Sequence, residues 1–260
     1  GSEMCIRDRF HGGSLIQKEI IKQTLNRIGY KNRIFSLAEE TGFCRLSNMN
    51  SVLFVDIGLN KKTIHNKKAS LFGFEFFYKK EKIISNLGEI NNSKYKNMKN
   101  SLSSTAAHSS LNIDDRNNID LNGRRITRIS NIQFGKTKDG NLLDVSHSGY
   151  ETIFGVHHKR QIYLSNKKNE IRGRDEILNI GNIGSIPKNA YIRFHLYPGI
   201  ELIKTRSGSI ILNHQKGYVW KMSSNNKNIS IENSVMFTPN GPKPCNCLLY
   251  TSPSPRDGTK

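Results

Sequence analysis

The chain has 260 residues, four cysteines and a formal net charge of +19. That length is enough to bury a sizeable core, in one large β domain or two small ones. No apolar run is long enough to cross a bilayer as a helix. Two of the four, Cys5 and Cys247, fall in end segments set aside below, and the remaining two make neither a disulfide framework nor a metal knuckle. The basic excess points to polyanions such as nucleic acid, anionic lipid or acidic polysaccharide. It also fits AT-rich codons, because Lys, Asn and Ile are abundant. The cations are scattered, with no Lys/Arg block interleaved with aromatics. That makes a nucleic-acid-binding β domain the most distant of the possible readings.

In chain order, residues 1–9 and 247–260 read as the two strands of one sequencing-library adapter in translation, and are expected to stand outside the biological chain. Cys44 and Cys245 then remain as its cysteines. Helical spacing of Leu15, Ile16, Ile20, Ile21, Leu25 and Ile28, with Ser14 as cap and Gly29 as stop, predicts a helix over 14–28. Strands are expected over 51–57 and over 71–78, the latter with Phe72, Phe74 and Phe76 on one face and Glu75 on the other. Residues 82–86 complete a hairpin. The polar stretch 91–104 is the longest expected loop.

Beyond Arg124, strands are expected over 126–134, 142–147, 150–156, 161–165, 191–196, 201–204, 209–212, 218–222 and 229–237. Turn signals such as Lys138-Asp139-Gly140 and Ser148-Gly149 separate them. Many short strands with little helix predict an all-β fold, an antiparallel β-sandwich.

The segment Ser104-Thr105-Ala106-Ala107-His108-Ser109-Ser110-Leu111 places one imidazole among small residues at a strand start. Such a setting suits presentation to a metal or substrate, and equally a structural histidine. His195 falls opposite Phe194 by alternation, with Arg193 on the side of Phe194. His147 and Tyr150 flank an expected turn, where Tyr150 offers a phenol to a sugar or packs internally. His157-His158-Lys159-Arg160 is either a basic edge for sulfate or carboxylate groups or a solvated strand edge that deters pairing.

A set of motifs occurs in a fixed order. It runs Gly42-Phe43-Cys44-Arg45-Leu46, Val55-Asp56-Ile57-Gly58, Gly73-Phe74-Glu75-Phe76, Asn86-Leu87-Gly88 and Ser104-Thr105-Ala106-Ala107-His108. It continues with Ser146-His147-Ser148-Gly149-Tyr150, His158-Lys159-Arg160-Gln161-Ile162-Tyr163-Leu164, Arg172-Gly173-Arg174-Asp175 and Arg193-Phe194-His195-Leu196-Tyr197-Pro198-Gly199. Together these resemble the C-terminal β-sandwich part of the heparinase II/III-like polysaccharide lyase family. The resemblance implies an α/α toroid of helices upstream, with residues 10–30 as its last helix or linker and 31–246 as the sandwich.

It also implies β-elimination on uronic-acid-containing polysaccharide. A base removes the C5 proton and the bond to the C4 oxygen breaks, with the uronate carboxylate neutralised. In the family an Asn, a His and a Tyr of the toroid carry most of that chemistry, so this chain is expected to be inactive alone. The sandwich is expected to contribute His108 as a catalytic residue, with His195, Arg193, Tyr150 and His158 binding substrate. The expected partners are an acidic polysaccharide and the toroid, and the expected location is the periplasm or cell envelope.

The resemblance further implies a structural zinc, held by a histidine, an Asp before a Gly, and the histidine at His108. Alignment on Phe74-Glu75-Phe76 puts Lys68 at the metal histidine, Asn66 at a catalytic histidine and Asn86 at the Asp. Ser103 replaces an Arg, and His65 is the one nearby imidazole that a register shift would offer. Zinc is bound by neutral imidazoles, carboxylates or thiolates, so no metal and no cofactor is expected here. Lys68 and Asn86 favour an alternative reading, a non-catalytic carbohydrate-binding or cell-envelope module.

Overall fold

The computed structural model describes residues 27, 35–38, 41–58, 68–90, 93–181, 185–225, 228–238 and 240–253. The helix expected over 14–28 lies outside them, Arg27 apart, as do His65 and Asn66. The described residues form an all-β, antiparallel sandwich.

Among the described residues five strands come first: β1 (Leu37–Ala38), β2 (Phe43–Ser47), β3 (Ser51–Asp56), β4 (Phe74–Tyr78) and β5 (Glu81–Ser85). A short helix, α1 (Lys99–Ser103), leads to β6 (Leu111–Ile113). Next come β7 (Ile129–Lys136), β8 (Gly140–Tyr150), α2 (Glu151–Phe154), β9 (Val156–Ser165) and β10 (Ile171–Asn179). The chain closes with β11 (Asn189–Leu196), β12 (Glu201–Lys204), β13 (Ile210–Asn213), β14 (Val219–Met222), β15 (Ile229–Thr238) and β16 (Gly241–Pro253).

Strand order in the large sheet is β1-β2-β3-β4-β5-β11-β16-β15, with β6 also on β11. A second sheet runs β10-β9-β8-β7 and a third β12-β13-β14. Side chains alternate between faces along a strand, and the inward sets meet in one core. Leu53, Val55 and Phe76 pack there with Leu143, Val145, Ile162 and Leu164 of the second sheet and Ile210 and Leu212 of the third. Each such side chain contributes about 1.5–3 kcal/mol on full burial. Edge-on aromatic contacts of Trp220 with Phe76 (5.0 Å) and Tyr78 (5.1 Å) join the third sheet to β4. The β4–β5 turn has both central residues, Lys79 (φ +46°) and Lys80 (φ +71°), left-handed, as a two-residue hairpin requires to match strand twist.

Several expectations are corrected. The strand expected over 150–156 is instead the α2 turn, ended by Gly155 at φ +67°. Ser148-Gly149 is no turn: β8 continues to Tyr150 with a register shift after His147. Phe72 is a left-handed residue (φ +59°) ahead of β4 rather than a member of its face. Glu75 does face away from Phe74 and Phe76, yet it is buried, where Lys82 (3.2 Å) and Ser85 (3.0 Å) satisfy its carboxylate. The stretch 91–104 holds a 3-10 turn, Ser93–Met98, and α1. Strand β16 runs unbroken across Asn246, pairing residues 247–253 with 189–195. Leu248 and Tyr250 join the core.

Candidate functional site

The segment around His108 is a hub of short side chains, each crossing to a neighbouring element. A 3-10 turn, Thr105–Ala107, places His108 at its end. The Thr105 hydroxyl donates to Ala69 O (2.9 Å), Ser109 Oγ to Ser85 O (2.7 Å) and Ser110 Oγ to Leu71 O (2.7 Å). Asn118 Nδ2 donates to the same Leu71 carbonyl at 3.0 Å. Small residues are needed here because the backbones approach closely. A Cβ on Gly73 would lie 2.9 Å from Ser70 O, 3.2 Å from His108 Cβ and 3.4 Å from Asn86 Oδ1.

Two imidazoles brace this turn. His108 Nδ1 meets Ser104 O at 2.8 Å and His195 Nε2 meets Ala106 O at 2.8 Å. A carbonyl only accepts, so each nitrogen carries the proton. Burial, opposed by the bond to Ala106 and aided by Arg193, pushes His195 down to about 4. His108 is 1 % exposed and His195 3 %. Both hold the turn in place, and neither ring is presented to solvent.

Tyr150 is fully buried, and its hydroxyl lies 3.1 Å from Leu111 O and 3.3 Å from Arg116 O. These contacts are those of internal packing, one of the two roles expected for it. His158 is buried as well. Alternation along β9 turns Val156, His158, Arg160, Ile162 and Leu164 inward, and β9 lies between β8 and β10 rather than at an edge. Arg193 and His195, two apart on β11, both turn to the 106–115 segment, while Phe194 packs on Phe74 and Tyr250. Arg193 is the expected substrate residue that keeps solvent access, with its side chain 16 % exposed. Asn112 Oδ1 accepts from its Nη1, the ring of Tyr191 lies 5.4 Å below its guanidinium, and Asp115 is 3.9 Å away.

Sequence reasoning missed the array beneath the hub. Gly149 N–H donates to His147 Nδ1 at 3.0 Å, which fixes the His147 proton on Nε2. That nitrogen faces His158 Nδ1 at 3.2 Å, and His158 Nε2 then donates to Asp175 Oδ1 at 2.7 Å. Arg160 pairs with the same carboxylate and donates from Nη1 to Phe72 O (2.7 Å) and Ser109 O (2.9 Å). The array thus grips both loops that carry the hub. Burial, with the charges of His158, His157 and Arg160, holds His147 well below the usual imidazole range. Burial also lowers His158, outweighing the opposing pull of Asp175. Asp175 is held below the usual carboxylate range: burial pushes it up, but Arg160 and His158 together outweigh that. Charged residues amid the apolar inward positions of β9 were the available signal.

The three positions expected to hold zinc lie on neighbouring segments. Lys68 Nζ donates to Gly88 O at 3.4 Å, and Asn86 Oδ1 accepts from Ser109 N at 2.8 Å beside His108. The donor set does not fit the ion, because an ammonium has no lone pair to give and an amide oxygen is a poor substitute for a carboxylate. Among the described residues no group of three His, Cys, Asp or Glu side chains is placed to hold a metal. The described cysteines Cys44, Cys245 and Cys247 are free and buried. No helix among the described residues is long and apolar enough to cross a membrane.

The described residues define an antiparallel β-sandwich domain with a side-chain-tied turn against its large sheet. The chain belongs to the heparinase II/III-like C-terminal domain family, whose model matches residues 31–260. Among solved structures, heparan sulfate lyase HepC from Pedobacter heparinus is similar with a TM-score of 0.63 and 15% identity, over 89% of this chain and 36% of that one. A mutant of that lyase gives 0.63 and 14%, over 90% and 36%. Heparinase III gives 0.55 and 12%, over 79% and 32%. The chain thus spans about a third of the length of these structures. No curated protein matches it.

Proposed function

We propose that this chain is the sandwich portion of a lyase that cleaves uronic-acid-containing polysaccharide by β-elimination in the periplasm or cell envelope. The observation that carries this reading is family membership across residues 31–260. The base and the groups that neutralise the uronate carboxylate belong to an upstream α/α toroid, so the chain alone is inactive. The sandwich contributes a rigid wall. His108 and His195 fix its turn, and Arg193 supplies a guanidinium to a sugar carboxylate or sulfate, an anion that Arg binds at two points. Heparan sulfate, the substrate named for HepC, is the first polysaccharide to test.

The test is the ultraviolet absorbance of unsaturated uronate, measured with the 260-residue chain alone and with its gene extended upstream through the toroid. Product from the longer protein only is expected. Product from the chain alone would sink the proposal. Lys68 and Asn86 favour a second reading, a carbohydrate-binding or cell-envelope module without catalysis. Polysaccharide binding with no product from the longer protein would select it.

A further inference from the structure

We propose that Lys68 supplies, as a fixed ammonium, the positive charge that the family resemblance assigns to a zinc ion, so that this domain assembles without metal. Lys68 is 4 % exposed and Asn86 1 %. A lysine is almost never buried to that degree without partners. Its Nζ reaches across to the Gly88 carbonyl, tying the loop ahead of β4 to the segment after β5. Asn86 holds the turn after His108 through Ser109 N–H, and His108 holds Ser104. The three side chains therefore do mechanically what shared coordination to one ion would do.

Charge explains why both positions differ together. Replacing a dication by an ammonium removes one positive charge, and replacing a carboxylate by an amide removes one negative charge. Across these three positions the formal charge is therefore unchanged. An ammonium beside an unchanged Asp, or zinc beside Asn86, would not conserve it. Among the described residues Asn86 Nδ2 has no hydrogen-bond partner, and the side chain is isosteric with Asp. The inference concerns assembly of the domain and stands apart from whether the protein is a lyase.

Three measurements on the 260-residue chain test it. Metal analysis should find substoichiometric zinc, with a melting temperature that a chelator does not move. Lys68→Met keeps the length but leaves the Gly88 carbonyl without its donor, and should lower the melting temperature by roughly 5 °C, a loss that zinc does not restore. The double variant Lys68→His/Asn86→Asp should bind one zinc per chain and melt higher with zinc than with chelator. Stoichiometric zinc in the unmodified chain that vanishes in His108→Ala would overturn the proposal. So would a Lys68→Met melting temperature equal to the parent's, or a folded double variant that binds no zinc.

Discussion

Arg160 and Asp175 face each other across β9 and β10 and close a two-point ion pair inside the sandwich, Nε to Oδ1 at 2.7 Å and Nη2 to Oδ2 at 2.9 Å. The pair is not isolated. His158 donates to the same carboxylate, and the remaining Arg160 nitrogen holds the carbonyls of Phe72 and Ser109. One buried carboxylate thereby fixes an imidazole, a guanidinium and two loops of the candidate site.

Asp175→Asn should be strongly destabilising. It leaves the Arg160 cation buried without its counter-charge, and breaking such a pair costs about 3–5 kcal/mol. Urea denaturation reads this directly. Arg174→Ala, on the exposed side chain next door, should change stability by no more than about 0.5 kcal/mol. Similar effects from the two variants would show that the Asp175 array is not structural.

Stability should fall as pH drops below the ordinary imidazole range. His147, His158 and His195 all have folded values below their unfolded ones. The unfolded chain therefore binds more protons, and stability is lost as pH falls through about 6.5 towards about 4, where His195 titrates. A proton added to His147 Nδ1 would point at the Gly149 N–H, and one added to His158 Nδ1 at the His147 N–H. Asp175 loses its contribution only further down, below the usual carboxylate range. Denaturation at pH 8, 6 and 5 should show the slope, and His147→Gln should flatten it. A flat profile in the parent chain would contradict the array.

Tyr150→Phe separates packing from sugar recognition. Loss of the hydroxyl leaves the Leu111 carbonyl short of a donor and should cost about 1 kcal/mol. Affinity for acidic polysaccharide should stay unchanged. A drop in affinity at constant stability would return Tyr150 to the substrate surface.

Arg193→Ala should weaken acidic-polysaccharide binding by roughly tenfold, the loss of one charge-assisted contact. Arg193→Lys should restore it only in part, because a point charge does not reproduce the two-point fork. Titration calorimetry at fixed salt decides this, and unchanged binding in Arg193→Ala would remove this residue from the proposed surface.

How much of this was legible depends on the range of the interaction. Strand bounds were readable where alternation and turn residues agree, as in β3, β12 and β15, because both signals are local. The burial of Tyr150 and His158 was not legible for one reason: both lie where a polar residue is satisfied from a distant segment. Tyr150 bonds to Leu111 and Arg116, and His158 to Asp175 and His147. A polar side chain in an alternating strand looks exposed until its partner is known. Strand β10, with Arg172, Gly173, Arg174 and Asp175 in sequence, lacks an apolar alternation altogether and forms by pairing with β9.

The residues in order along the chain determine the family, the all-β class and the identity of Lys68, Asn86 and His108 at three related positions. Those are properties of composition, period and motif order, each carried by neighbours in sequence. Tertiary structure alone decided that His108 and His195 brace one turn, that Arg193 keeps its contact with solvent, and that a carboxylate on β10 anchors the site from below. These depend on which surfaces the packed sheets exclude from water, and exclusion is settled only when segments far apart in the chain come together.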